Sequence, residues 1–322
     1  IVPDDALNGD GVVVFHTSVS VDATATLNLA AGVKFKFTGV HAFNVYGGLT
    51  TTGSTGNPVV LTSIHDDVYG GDTNLNLGGS AGSPGQWIQA WFGPPSDASN
   101  LAGLVVRCAG WGGYSSIQLD QSNLTMTGAS TALAGGPCLD LSNNSYPTIV
   151  GGALNGGNYA LTNVRVPALA GLSGVAASGN SVLDVPYVTS GAVNVGENTT
   201  LTTANTLNGN GVVACVTSIT VAAGAALTLD AGIVVKFVGV HALNVYGVLT
   251  TNGTTTPTSA GVPVVITSIH DDVYGGDTNK NGSATAPSPG QWIQAWFGPS
   301  SDASILAGAV FRSGGWGGNP MI

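Results

Sequence analysis

Charge is what this 322-residue chain lacks most. Charged residues make up 7% of it, where ordinary soluble domains carry about 25%. Seven residues are basic and seventeen acidic, for a formal net charge of −10. That balance argues against nucleic acid or an anionic membrane as a partner and in favour of a cation. A single glutamate, Glu197, stands among sixteen aspartates. Aspartate is disfavoured in helices and common in turns and metal loops. The three cysteines, Cys108, Cys138 and Cys215, show no CxxC or Cys/His ligand spacing, which excludes an ordinary zinc site. Cys108 and Cys138 can pair only if they fall on stacked turns; otherwise all three are small buried side chains. No apolar run reaches the roughly 18 residues of a membrane-spanning helix. A helical period with caps is also missing. These absences point away from a cytosolic enzyme and towards a secreted or cell-surface β-protein.

What the chain does have is repetition. "LNGDGVVVFHTSVSV" from Leu7 matches "LNGNGVVACVTSITV" from Leu207, and "GVHAFNVYGGLTT" from Gly39 matches "GVHALNVYGVLTT" from Gly239. After a Thr-rich insertion at 254–260, "PGQWIQAWFG" from Pro84 recurs from Pro289. The domain organisation expected is a first unit over 1–200 and a partial second copy over 201–322, continuous with it. Chain ends placed so unevenly on the repeat are expected of a segment of a longer tandem array.

Within each unit, short segments alternate apolar and polar residues between Gly, Asn, Ser or Pro: "VKFKF", "FNVYG", "PVVLTS", "LVVRC", "SIQLDQS". Such strands fit a sandwich, a barrel or a solenoid. Their number and shortness favour the solenoid, as do the Asn and Ser residues that follow them as if stacked in ladders at coil corners. The fold class expected is all-β, a parallel β-helix solenoid with long loop excursions.

"VAAGAALTLDAGIVVKFVGVHALNVYGVLTTNGT" followed by "VPVVITSIHDD" resembles the right-handed parallel β-helix units of bacterial secreted and surface proteins. The middle section, "PCLDLSNNSYPTIVGGALNGGNYALTNV", is similar to β-helix repeats of the pectin-lyase-like superfamily. The resemblance implies a right-handed coil. It says little of function, because that superfold hosts lyases, hydrolases, adhesins and fibres.

The candidate site is the loop "SIHDDVYGGDTN", identical at Ser63–Asn74 and Ser268–Asn279. "DTNKNG", from Asp277 to Gly282, reads D-x-N-x-N-G, the opening half of an EF-hand-type calcium loop, with oxygens at alternate residues and glycine at the turn. Ser288 stands at the twelfth position, where an EF-hand has glutamate, and the first copy has Leu77 in place of the glycine. The loop is therefore not an EF-hand. Related surface β-helices carry similar "DD--GGDTN-DG" loops, and this resemblance adds weight to calcium. The ligands expected are Asp66, Asp67, Asp72, Asn74 and Asn76, then Asp271, Asp272, Asp277, Asn279 and Asn281. The alternative is bare turn chemistry, with Asp and Asn closing Asx-type bonds. The second copy, with Gly282, is expected to bind the more tightly. His65 and His270 are poor calcium ligands and are expected to bond an aspartate or pack.

Trp87, Trp91, Trp292 and Trp296 are candidate glycan platforms or, alternatively, cover for the loop base. Arg107 and Arg312 recur at equivalent places and are expected to pair with a loop aspartate. A polysaccharide lyase would use carboxylate-bound calcium with an Arg or Lys base, yet duplicating a whole active site along one chain is less natural than duplicating a building block. No catalytic residue is assigned. Asn123, Asn143, Asn198, Asn252 and Asn281 begin glycosylation sequons, and the Thr-rich tips are candidates for O-glycosylation. The function expected is a structural protein: an extracellular, calcium-stabilised block of a fibre, sheath or surface layer. It would self-associate end to end or join other surface proteins. An adhesin binding glycan or protein on a lateral face is the alternative.

Overall fold

A computed structural model describes every residue except 7–8, 255–260 and 283. The Thr-rich insertion beyond Thr254, the first two residues of the repeat match and the last residue of the Asn281 sequon lie outside the described residues. The chain divides into two compact units, Ile1–Leu161 with Val175–Ser181, and Thr162–Gly174 with Val182–Ile322.

The first unit is a parallel β-solenoid. Strands of three to five residues are too short to bury a core alone, so each coil lies on the next and pairs with it at three places. One ladder runs through Val12–Phe15, Lys34–Phe37, Val59–Ser63, Leu104–Arg107, Ser130–Ala132, Ala153–Asn155 and Ala176–Ser178. A second stacks Val19–Val21, Phe43–Val45, Ala90–Phe92, Ile117–Asp120 and Leu139–Ser142. The third stacks Thr26–Leu29, Gly48–Thr52, Asn100–Ala102, Thr125–Thr127 and Thr148–Val150. All are parallel in register, as in Val12↔Lys34 and Lys34↔Val60. Two-residue alternation turns Phe35, Phe37, Phe43, Leu49, Leu61, Phe92 and Leu101 into a core that water barely reaches. Each such side chain contributes roughly 1.5–3 kcal/mol on burial.

Polar ladders close the corners, as the Asn and Ser pattern predicts. Ser96 Oγ lies 2.8 Å from Ser122 Oγ, and Ser145 Oγ accepts from Ser122 N at 3.1 Å. One row outward, Asp97 accepts from Asn123 N and Asn123 accepts from Tyr146 N, both at 2.7 Å. Ser145, Asp97 and Asn123 thus each accept from a corner backbone N–H of a neighbouring coil. All three cysteines are buried, and none is in a disulfide. Cys138 Sγ donates to Asn155 O (3.3 Å) and Asn180 Oδ1 (3.1 Å) instead.

The second unit repeats the same three ladders. Val212–Cys215, Val234–Phe237, Val264–Ser268 and Ala309–Phe311 form one, and Ile219–Val221, Leu243–Val245 and Ala295–Phe297 another. Asn198–Leu201, Ala226–Asp230, Val248–Asn252 and Ile305–Ala307 form the third. Registers match between copies: Lys36↔Thr62 and Lys236↔Thr267, Phe43↔Ala90 and Leu243↔Ala295. The loop leaves the solenoid after Val59–Ser63 in one unit and Val264–Ser268 in the other. No helix among the described residues is long and apolar enough to cross a membrane.

Candidate functional site: the repeated aspartate loop

The strand before the loop is buried along its whole length, so its last polar residues must find partners inside. Thr62 Oγ1 donates to Asp66 Oδ2 at 2.7 Å, and Thr267 to Asp271 Oδ2 at 2.8 Å. Arg107, one coil on, adds Nε to Asp66 Oδ2 at 2.7 Å and Nη2 to Oδ1 at 3.3 Å. In the second unit, Arg312 Nη1 stands 3.3 Å from Asp271 Oδ2. The Tyr69 and Tyr274 rings cover these guanidiniums at 5.4 and 5.1 Å. Asp66 and Asp271 have no exposure to solvent. Burial pushes the Asp66 pKa up, but the Arg107 and Thr62 hydrogen bonds outweigh it and hold the carboxyl below its ordinary range. The first aspartate of each pair is thus held by protein donors, as the recurrence of the two arginines implied.

Beneath the loop lies a residue that the sequence reading did not single out. Lys36 and Lys236 are fully buried. Lys36 Nζ donates to Asp66 O (3.0 Å) and Gly71 O (2.9 Å). Lys236 Nζ donates to Asp271 O (2.8 Å), Gly276 O (2.7 Å) and Thr278 Oγ1 (2.7 Å). The ammonium pins both ends of the "DDVYGG" turn. Burial lowers the pKa of both lysines against the pull of the nearby aspartates, that of Lys236 to about 8. The turn lies flat on this floor, which explains its glycine: a Cβ on Gly70 would meet Val12 Cγ2 at 2.5 Å, and one on Gly275 would meet Val212 Cγ2 at 2.6 Å. A signal was available. Among seven basic residues, only Lys36/Lys236 and Arg107/Arg312 recur at equivalent repeat positions.

The rest of the loop curls on itself. Asp72 accepts from Asn76 N (3.0 Å) and Leu77 N (2.7 Å), and Asp277 from Asn281 N (3.1 Å) and Gly282 N (2.8 Å). Asn74 Nδ2 donates to His65 Nδ1 (3.1 Å) and Ser80 Oγ (3.0 Å). Asn281 Nδ2 donates to Thr285 Oγ1 at 2.7 Å. The histidines and hydroxyls take the amide NH2 groups, which leaves amide oxygens over. Asp67 Oδ1 and Asn74 Oδ1 are buried with no hydrogen-bond partner; so are Asp272 Oδ1, Asn279 Oδ1 and Asn281 Oδ1. In the first copy Asn76 Oδ1 accepts from Gly79 N at 3.0 Å instead. A buried acceptor without a donor is costly, about 1–3 kcal/mol. Two such atoms in one copy and three in the other, all on expected ligands, describe a loop whose oxygens lack a positive partner. Among the described residues, no group of three or more His, Cys, Asp or Glu side chains could hold a metal ion, so any cation here would need the amide oxygens.

The tryptophans divide. Trp87 and Trp292 have no exposed surface, stack on Phe37 and Phe237 at 4.6 and 5.3 Å, and donate Nε1 to Arg107 O and Arg312 O at 2.6 Å. They floor the loop base, and the ligand-contact expectation is withdrawn for these two. Trp91 and Trp296 meet Tyr46 and Tyr246 edge to face at 5.0 and 4.9 Å on the outer side of each coil.

The fold and loop define a class, an all-β parallel β-helix with a duplicated, carboxylate-rich excursion. No family model matches the chain, nor does any curated protein or solved structure.

Proposed function

We propose that this chain is an extracellular structural protein, a calcium-stabilised β-helical block of a fibre, sheath or surface layer. The observation that carries the reading is the set of buried, donorless oxygens on Asp67, Asn74, Asp272, Asn279 and Asn281. Calcium takes six to eight oxygen ligands, and backbone carbonyls and water complete such a set. With Asp72, Asp277 and the Asn76 position, these are the residues assigned to it. Their role would be to stiffen a loop whose remaining acid, Asp66 or Asp271, is already tied to the scaffold. Repetition of the whole assembly suits a building block better than an enzyme. The reading includes kinship with the right-handed, pectin-lyase-like β-helices of bacterial secreted proteins, which the resemblance of the coil motifs supports. The test is a calcium titration with thermal unfolding, paired with electron microscopy with and without chelator. Calcium-dependent stability together with filaments is expected. A chain that stays monomeric at high concentration in calcium, with unfolding indifferent to chelator, overturns the reading.

The part-exposed pairs Tyr46–Trp91 and Tyr246–Trp296 favour a second reading, an adhesin that stacks sugar rings on a lateral face.

A further inference from the structure

One asparagine of the second loop stands in a setting that its counterpart in the first loop lacks. Asp277 clamps the two main-chain nitrogens on either side of the Asn281 Cα. Its Oδ1 accepts from Asn281 N at 3.1 Å and its Oδ2 from Gly282 N at 2.8 Å. Thr285 Oγ1 holds the side-chain Nδ2 at 2.7 Å, and Asn281 Oδ1 has no donor. The residue that follows is an exposed glycine with φ 64°, and nothing lies within 4 Å of where its Cβ would stand. The Gly282 nitrogen is therefore open to water, with no side chain of its own to shield it.

The first loop repeats the frame with one change. Asp72 takes Asn76 N and Leu77 N in the same way, and Asn76 Nδ2 donates to Ser80 Oγ. Leu77, however, puts a branched side chain beside the nitrogen, and Asn76 Oδ1 is engaged by Gly79 N at 3.0 Å. The other described Asn–Gly pairs are held by the coils or by a turn. Gly253 N donates to Ala307 O at 3.0 Å at the end of a strand ladder, and Gly209 N donates to Thr206 O at 3.4 Å. Asn155 Oδ1 accepts from Ser178 N at 2.8 Å and from its Oγ at 3.0 Å. Asn281 alone among them joins an exposed glycine to a nitrogen held only by a side chain.

We infer that Asn281 is a self-modifying residue, whose side-chain amide is converted to a carboxylate by its own chain. An asparagine amide is thermolabile, and the next residue's nitrogen is a nucleophile already tethered beside it. The Gly282 nitrogen attacks Asn281 Cγ and gives up its proton to water. The new N–Cγ bond closes a five-membered imide. The Cγ–Nδ2 bond breaks, and Nδ2 leaves as ammonia after taking a proton from water. A second water opens the imide at either carbonyl and leaves aspartate or isoaspartate. The net reaction consumes one water and releases one ammonia, with nothing oxidised or reduced. The chemistry is independent of calcium, but its consequence deepens the calcium reading and rests on it. "DTNKNG" becomes D-x-N-x-D-G with one more negative charge, and calcium favours a carboxylate oxygen among its ligands. The second loop thereby matures into the stronger site, and the first does not.

The test ages the purified full chain for weeks at neutral pH and body temperature, with chelator present, and follows its peptides by mass spectrometry. The Asn281 peptide should become heavier by the difference between an acid and an amide, about 1 Da. It should contain isoaspartate, which arises by opening of the cyclic imide. Conversion should be about tenfold or more faster than at Asn76 or Asn252. Gly282→Leu should bring Asn281 down to the Asn76 rate, and Leu77→Gly should raise Asn76. Unfolding in urea should lift Asn252 to the Asn281 rate, because only the fold protects it. An Asn281 peptide that keeps its mass, or that converts no faster than Asn252 in the folded chain, overturns the inference. Titration of fresh, aged and Asn281→Asp chains with calcium chloride separates the two ideas. Conversion without calcium binding sinks the calcium reading alone; calcium binding by a chain whose Asn281 stays intact sinks the self-modification alone.

Discussion

Arg107 reaches back 41 residues along the chain to set its Nε 2.7 Å from Asp66 Oδ2, at the base of the loop that leaves the first unit's solenoid after Ser63. The pair joins two neighbouring coils at the base of the excursion, and Thr62 and Tyr69 complete it. Arg312 and Asp271 repeat it more loosely, at 3.3 Å, with the arginine side chain 28% rather than 16% exposed.

Removing Arg107 leaves a buried carboxylate without its cation. Arg107→Ala should cost about 3–5 kcal/mol, the usual penalty for breaking a buried pair from one side. Arg312→Ala should cost less, because its pair is longer and wetter. Urea unfolding of the two variants checks the order. Asp66 has a folded pKa below its ordinary 3.8, so its contribution is fully present above that value and is lost as pH falls through the lower folded one. In Arg107→Ala this acid loss should begin at higher pH.

Lys236 titrates in the opposite sense to an ordinary surface lysine. Burial depresses its pKa from 10.5 to about 8, so between these values the unfolded chain binds the extra proton. Its contribution to stability is therefore full above pH 10.5 and is lost as pH falls through about 8. The stability difference between the natural chain and Lys236→Met should widen from pH 8 upwards. Urea unfolding across that range, with the lysine side-chain resonance followed by NMR, measures it. At neutral pH, Lys236→Met should cost on the order of 1–3 kcal/mol for each acceptor left without its donor.

The two loops should not bind calcium alike. Leu77 has φ 56° and Gly282 φ 64° at the same loop position. A side chain in that left-handed conformation costs roughly 1–2 kcal/mol. Leu77→Gly should therefore stabilise the first copy without calcium and tighten its binding. Asn281→Ala, which removes an orphaned oxygen, should weaken the second copy more than Asn76→Ala weakens the first. Isothermal titration of each variant reads both effects, and equal affinities throughout would count against the assignment.

The lateral aromatic pairs bear on the adhesin reading alone. If Trp91 and Trp296 stack on sugar rings, a glycan array should show binding that Trp91→Ala and Trp296→Ala abolish together while stability changes little. Trp87→Ala should instead unfold the loop base, since that ring is buried against Phe37.

Much of the fold was readable in the chain itself. The alternation in "VKFKF" and "PVVLTS" requires strands. Their shortness requires stacking, and the Ser and Asn residues after them supply the corner ladders seen at Ser96, Ser122 and Ser145. The duplication fixed that whatever the loop does, it does twice. Sequence alone could not sort the acids. Asp66 and Asp67 are adjacent and look interchangeable, yet one faces Arg107 and the other carries a donorless oxygen. That allocation depends on which coil lies beneath and where its arginine emerges, which no local spacing records. The same holds for Lys36. It looks like a solvent-facing residue between two core phenylalanines, and only the loop folded over it makes it a buried ammonium. Period-two alternation, a local steric rule, thus determined the strands and the core. The partners of each charge were decided by how successive coils and their excursion pack in three dimensions.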